Sequence, residues 1–355
     1  MIKQFTISAI QRVIAHRIIQ KTVSSPCYAD THDSLYKLNI DDKQVLIQRI
    51  EKAVNNRKKC FDLSFRDKGK NSMYEHLLKL GFVSDDKAYI EFSKEAAGKL
   101  SESQDNISIP GGYCLVVDGK LKDGEYFVCI IKADYQEVFN VHENSMQVLN
   151  EVFLSPAKDF YKVGFFVQNT TNKSFKPYMY DDQFSIYKDD LTLYFYDRFL
   201  GLSTDDNNKL KTKNLFLDIK DFIENNVDDM TDAGGLKTAM RAYFRENTEG
   251  HISVEEFSDR FLHGTTLEAE FKKQYLDKYP RAIVLDTTLL SNMQLLTQRT
   301  TLSDKITILT KEGVTMKVLD NETVGKIIPT INTGMNTKVV LFETAEEEGV
   351  SCLQR

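Results

Sequence analysis

The stretch ISIPGGYCLVV (residues 107–117) sets a glycine pair after a proline and before an apolar run. Such a pair can cradle phosphate, or it can be only the entry to a strand. A phosphate loop needs GxxxxGK[ST], with a lysine to reach the phosphates and a helix start to aim its amides. Here Tyr113 to Val117 come directly after the pair, with no Lys-Ser/Thr and no GxGxxG. The pair therefore reads as strand entry, where backbone freedom and close packing are needed.

Six acidic pairs recur, Asp41–Asp42, Asp85–Asp86, Asp181–Asp182, Asp189–Asp190, Asp205–Asp206 and Asp228–Asp229. Paired carboxylates can hold Mg²⁺ for nuclease chemistry. Several of these precede apolar helical runs, where capping explains them, and none sits in a pattern that organises a metal. The histidines, His16, His32, His76, His142, His251 and His263, are scattered, with no HExxH and no GxSxG elbow for a serine nucleophile. The cysteines, Cys27, Cys60, Cys114, Cys129 and Cys352, are odd in number and never spaced CxxC. They read as free thiols of a reducing compartment, with no zinc site.

One basic stretch stands out. Lys52, Arg57, Lys58, Lys59, Arg66, Lys68 and Lys70 face only Asp62 and Asp67, and FDLSF (61–65) interleaves them. That alternation suggests a strand packing its Phe face inward, which leaves the cations for backbone phosphates. A solvated helix end and loop fits the same residues. A second group, Lys209, Lys211 and Lys213, lies near a helix start beside Asp205 and Asp206, and the same two readings apply to it.

These residues need elements to position them. The segment from Phe5 mixes alternating and continuous apolar character and predicts a strand. Val45, Leu46, Ile50, Ala53 and Val54 predict a helix over about 42–59, capped by Asp41 or Asp42, with Arg57, Lys58 and Lys59 in its last turn. Residues 71–103 read as helical in pieces. The runs YCLVV (113–117) and YFVCII (126–131) read as strands joined through DGKLKDG (118–124), with Asp-Gly at both ends of the turn region. FYKVGFFVQ (160–168) predicts a further strand. Beyond about 190 helices dominate: one ending at Gly201, one over 209–225, one opened by the capping box SVEE (253–256), and one over 267–279 stopped by Pro280. A hairpin closes the pattern around TKEG (310–313). Sheet, then helices, then a small hairpin is an α+β fold rather than a doubly wound one. It divides at 1–180, an α+β domain with a central antiparallel sheet, and 181–355, a mainly helical domain ending in the β-hairpin.

The 355 residues, 41% hydrophobic and 28% charged, form an ordinary globular composition. No apolar run is long enough to span a bilayer and no signal-peptide core opens the chain, so no membrane and a cytoplasmic address are expected. The net charge of −6 gives no bulk attraction to nucleic acid, but a local basic patch can act alone.

Three places then resemble the bacterial nucleoid-associated protein family typified by NdpA/YejK. IQRVIAHRI (10–18) resembles the family's opening strand, including its histidine at position 16. FSKEAAGKL (92–100), GGYCLVV (111–117) and EYFVCII (125–131) come in the family's order. LYFYDRFLG (193–201), with the helix carrying Phe216 and Phe222, resembles its Phe-Leu-Gly segment and the helix after it. The similarity is spread over residues 8–226. It implies a nucleoid-located protein in the cytoplasm that binds double-stranded DNA with little sequence preference, without a cofactor and without catalysis. One departure stands out: where the family commonly carries a Gly/Arg/Lys-rich stretch, this chain has DDQFSIYKDDLT (181–192).

The leading expectation is a non-enzymatic DNA-binding protein whose phosphate contacts come from Lys52, Arg57, Lys58, Lys59, Arg66, Lys68 and Lys70, helped by Lys209, Lys211 and Lys213. The acidic replacement motivates a second reading, a protein-interaction subunit or homo-oligomer in a DNA-linked assembly such as an anti-phage or topoisomerase-associated complex. A metal-dependent nuclease is the third.

Overall fold

The computed structural model describes residues 4–82, 85–142, 145–152, 162–184, 191–247, 250–290, 306–309, 315–318 and 351–353. The chain divides into two units, Met1–Asn207 and Asn208–Arg355.

The first unit is built on a long first strand, β1 (Ile7–Ile19), flanked by the short β2 (Tyr28–Asp30). Helix α1 (Ile40–Val54) comes next, then β3 (Cys60–Asp62), β4 (Ser64–Phe65), α2 (Met73–Phe82) and α3 (Asp86–Ser103). Strands β5 (Gly112–Leu121), β6 (Tyr126–Asp134), β7 (Gln136–His142), β8 (Ser145–Val152), β9 (Lys162–Gln168) and β10 (Phe175–Asp181) continue the chain. A π-helix (Tyr194–Phe199) and β11 (Leu202–Ser203) close the unit. Seven strands form one antiparallel sheet in the order β2-β1-β5-β6-β9-β10-β3, while β7 and β8 make a separate hairpin.

Alternation along the strands gives the sheet two buried faces. Leu115, Val117, Phe127, Cys129, Ile131, Phe165 and Tyr178 pack against the α1 stripe of Leu46, Ile47, Ile50, Ala53 and Val54. The alternate set meets the other helices. His16 bonds Ser93 of α3 at 2.8 Å, and Tyr89 of α3 donates to the Val116 carbonyl at 2.9 Å. Gly164 on the same face lacks the Cβ that would lie 2.9 Å from Leu200 Cδ1. The result is three layers, α1, sheet, and then α2, α3 and the π-helix.

Several boundaries differ from the sequence reading, each for a local reason. Helix α1 stops at Val54, so Arg57, Lys58 and Lys59 lie beyond it and only Lys52 occupies its last turn. Asn55 is taken out of the helix by two 2.8 Å bonds between its side chain and the Phe5 backbone. The Asn56 side chain then accepts from the Lys58 and Lys59 amides, a turn geometry that competes with helix. At the other end Asn39, rather than Asp41 or Asp42, caps the helix, accepting from the Asp42 amide. Helix α2 runs through Gly81 to Phe82.

The β5–β6 turn uses only the second Asp-Gly. The strands pair out to Lys120↔Tyr126, and Gly124 takes the positive φ of 85°. Asp118 is instead a fully buried strand residue that accepts from Arg12 and from the Tyr126 hydroxyl, holding β1 where its register slips between Ile10 and Arg12. The opening glycine pair is strand entry. At Gly112, with φ 147°, an added Cβ would lie 2.1 Å from the Ala133 carbonyl oxygen, too close for any side chain.

The second unit is helical. Helices α4 (Asn208–Asn226), α5 (Met230–Glu246), α6 (Val254–Phe261) and α7 (Leu267–Tyr275) enclose a core rich in Phe216, Phe222, Phe257 and Phe271. A small ladder joins β12 (His251–Ile252) to β13 (Ile283–Val284). Ser253 caps α6 as expected, accepting from Glu256 N at 3.0 Å; the return half of the capping box passes through the Tyr243 hydroxyl, which accepts from Ser253 N and donates to Glu256. Near the end, β14 (Ile306–Leu309) and β15 (Thr315–Val318) pair as the expected antiparallel hairpin, with β16 (Ser351–Leu353) added alongside. The TKEG turn lies outside the described residues. The architecture is α+β with its large antiparallel sheet in the N-terminal half.

Candidate nucleic-acid interface

The basic stretch forms a strap along the open edge of the sheet. It leaves α1 through the Asn56 turn, pairs as β3 with β10 (Cys60↔Tyr180, Asp62↔Tyr178), then crosses as β4 to pair with β11. The FDLSF alternation works as its spacing predicts. Phe61, Leu63 and Phe65 are buried, and Asp62 and Arg66 face out. Phe61 meets Phe184 edge-on at 4.7 Å, and Phe65 stacks on Phe166 at 5.9 Å. Backbone bonds fix the strap further: Leu63 donates to the Pro177 carbonyl, and Arg66 and Asp67 both donate to that of Gly201. Gly201, at φ 64°, ends the π-helix in the left-handed conformation that glycine adopts at helix ends.

This framework orders the seven strap cations along one continuous segment. Lys52, Arg57, Lys58, Arg66, Lys68 and Lys70 are exposed. Lys59 is half-buried and donates to both the carbonyl (2.6 Å) and the carboxylate (2.8 Å) of Asp182. Arg66 pairs with Asp197 at 2.6 Å. Lys68 sits 5.6 Å from the Tyr74 ring centre, in a turn where Asp67 accepts from the Gly69 amide. Lys176, missed in the sequence because the strand carrying Pro177 was not read as one, adds a cation beside the strap and pairs with Asp62 at 2.7 Å. The second group sits at the start of α4. There Lys209 and Lys213 are buried, at 5% and 0% exposure, and Lys211 is half-buried.

Several of the acidic residues serve the fold. Asp85 caps α3, accepting from the Ala88 amide, and Asp229 accepts from the Asp232 amide at the start of α5. Asp181 is buried and ion-paired to Lys162 at 3.0 Å; its other oxygen accepts from the Thr192 amide and hydroxyl. Asp189 and Asp190 lie outside the described residues. Among the described residues, no three His, Cys, Asp or Glu side chains gather as a metal would require. Cys114 and Cys129 are buried free thiols, both pushed up by burial, Cys114 to about 12; Cys27 and Cys60 are half-buried. No helix among the described residues is long and apolar enough to cross a membrane.

Comparison with known families matches residues 14–323 to the model described as nucleoid-associated protein YejK. No curated protein matches the chain.

Proposed function

The chain belongs to the nucleoid-associated protein YejK family, and from that premise we propose that it binds double-stranded DNA without catalysis, through phosphate contacts made by the edge strap. The observation that carries this reading is the strap itself. Its apolar residues Phe61, Leu63 and Phe65 are buried, which anchors the turns that carry its cations. Lys52, Arg57, Lys58, Arg66, Lys68 and Lys70 are the exposed cations of that segment. Contacts of this kind position a duplex without reading bases, which gives sequence-tolerant binding and a steep dependence on salt. Lys211 is the residue of the α4 group with the surface to assist. A nucleoid location in the cytoplasm follows from the same reading.

The test is duplex binding at stepped salt with Arg57, Lys58 and Lys59 all changed to glutamine. Binding should weaken on every sequence, and each lost contact should flatten the salt slope by about 0.9. Unchanged binding removes these residues from the interface. A chain that shifts no duplex yet co-purifies with a stoichiometric protein supports the interaction-subunit reading instead. Divalent-metal-dependent plasmid nicking that survives further purification would overturn the non-enzymatic one.

A further inference from the structure

Two strap cations are already occupied by carboxylates that arrive from far along the chain. Asp182 reaches Lys59 from 123 positions away, with Oδ1 at 2.8 Å and its carbonyl at 2.6 Å. Asp197, inside the π-helix, reaches Arg66 Nη2 at 2.6 Å. We propose that Asp182 and Asp197 are built-in competitors of phosphate, so that DNA engages the strap by displacing them and its affinity is held down. This rests on the strap being the DNA-binding surface.

The setting of the two pairs supports the assignment. The carboxylates belong to braced backbone. Asp182 follows Asp181, whose amide donates to the Lys59 carbonyl at 3.0 Å and whose side chain is tied to Lys162, Gln183 and Thr192. Asp182 Oδ1 also accepts from the Tyr180 hydroxyl at 3.1 Å. Asp197 is fixed by the π-helix, where its carbonyl accepts from the Gly201 amide at 2.9 Å. The cations keep more surface or as much: Arg66 is 61% exposed against 22% for Asp197, and Lys59 33% against 32% for Asp182. Both cations therefore keep surface that a phosphate can reach from solvent. Ion pairs this open to water contribute only about 0–1 kcal/mol, so a duplex offering several phosphates can displace them.

The experiment measures duplex binding across salt for Asp182→Asn, Asp197→Asn and a control, Asp41→Asn. Asp41 lies in the first turn of α1, at the opposite end of that helix from the strap, and its change alters net charge equally. Asparagine keeps an acceptor for Tyr180, and thermal melts check the fold. Each strap variant should bind more tightly than wild type, with a salt slope steeper by up to about 0.9, so that its advantage shrinks roughly threefold between about 50 and 200 mM salt. Adding Lys59→Met to Asp182→Asn should erase the gain. If wild type binds but the strap variants match Asp41→Asn, the competitor role is overturned and the binding surface stands. If neither wild type nor any variant binds, the DNA reading fails and this inference with it. Should Asp182→Asn lose its fold, the Asp197→Asn slope decides.

Discussion

Lys132 and Lys162 stand directly opposite each other across β6 and β9, and both side chains are fully buried. Burial pulls both ammonium groups below the usual lysine range, and the acid paired with each, Asp134 and Asp181, acts against that shift. Lys132 bonds Asp134 and the carbonyls of Pro110 and Gly111, fastening the glycine pair to the sheet. Lys162 bonds Asp181 and Gln183, fastening the turn that carries Asp182 to the strap. Removing one member of such a pair strands a buried charge. Asp181→Ala should cost about 3–5 kcal/mol in urea unfolding, whereas joining Asp181→Leu with Lys162→Met should recover most of it.

Gly112 tests the strand-entry reading. Its φ is 147°, and a methyl group there would sit 2.1 Å from the Ala133 carbonyl oxygen, which leaves room only for hydrogen. Gly112→Ala should destabilise by about 4 kcal/mol or more, or yield no folded protein. Gly124→Ala, also at positive φ but with open space around it, should cost only about 1 kcal/mol. Paired denaturation curves compare them.

What was legible in the sequence was mostly what short-range pattern controls. The inward Phe61 and Phe65, the Ser253 cap, the Gly201 helix end and the entry at Gly112 are all set by spacing and residue type. What was not legible depends on contacts across the fold. Asp118–Gly119 has turn chemistry, yet Arg12 claims the Asp118 carboxylate, and Gly119 is needed where a Cβ would come 2.0 Å from the Ala9 carbonyl oxygen. Helix α1 ends early because Phe5, fifty positions back, takes the Asn55 side chain. The strap looked nearly unopposed because a window over 52–70 contains neither Asp182 nor Asp197. Nor could any local pattern have separated surface Lys58 from buried Lys213, both set in lysine-rich runs.

That last contrast gives a prediction for the two basic groups. Lys58 and Lys70 are exposed, and Lys213 is fully buried on α4. Lys58→Gln and Lys70→Gln should each weaken duplex binding and leave the urea midpoint within experimental error. Lys213→Gln should do the reverse, lowering stability by on the order of 2 kcal/mol through disturbed packing of its stem. Binding and unfolding measured on the same preparations separate the two effects.

His16 makes stability depend on pH. Its Nδ1 accepts from the His32 amide at 3.0 Å, so the proton of the neutral ring sits on Nε2. Nε2 then donates to Ser93 Oγ at 2.8 Å, and the Ser93 hydroxyl donates in turn to the Ile90 carbonyl at 2.7 Å. A second ring proton would point at the His32 N–H. Burial lowers the pKa to about 4, with the charges of His32 and Lys94 acting the same way and Asp33 opposing. In the unfolded chain the imidazole titrates near 6.5. Between those values the unfolded state binds the extra proton and the folded state does not. The contribution is therefore fully present above about pH 6.5 and is lost as pH falls to about 4, amounting to about 3 kcal/mol. His76 is also lowered by burial, so wild type alone mixes the two. The difference in unfolding free energy between wild type and His16→Gln isolates His16. It should be constant above about pH 7 and fall steadily from there to about pH 4; a difference that stays flat across that range would show that His16 takes up its proton as readily in the folded chain as in the unfolded one.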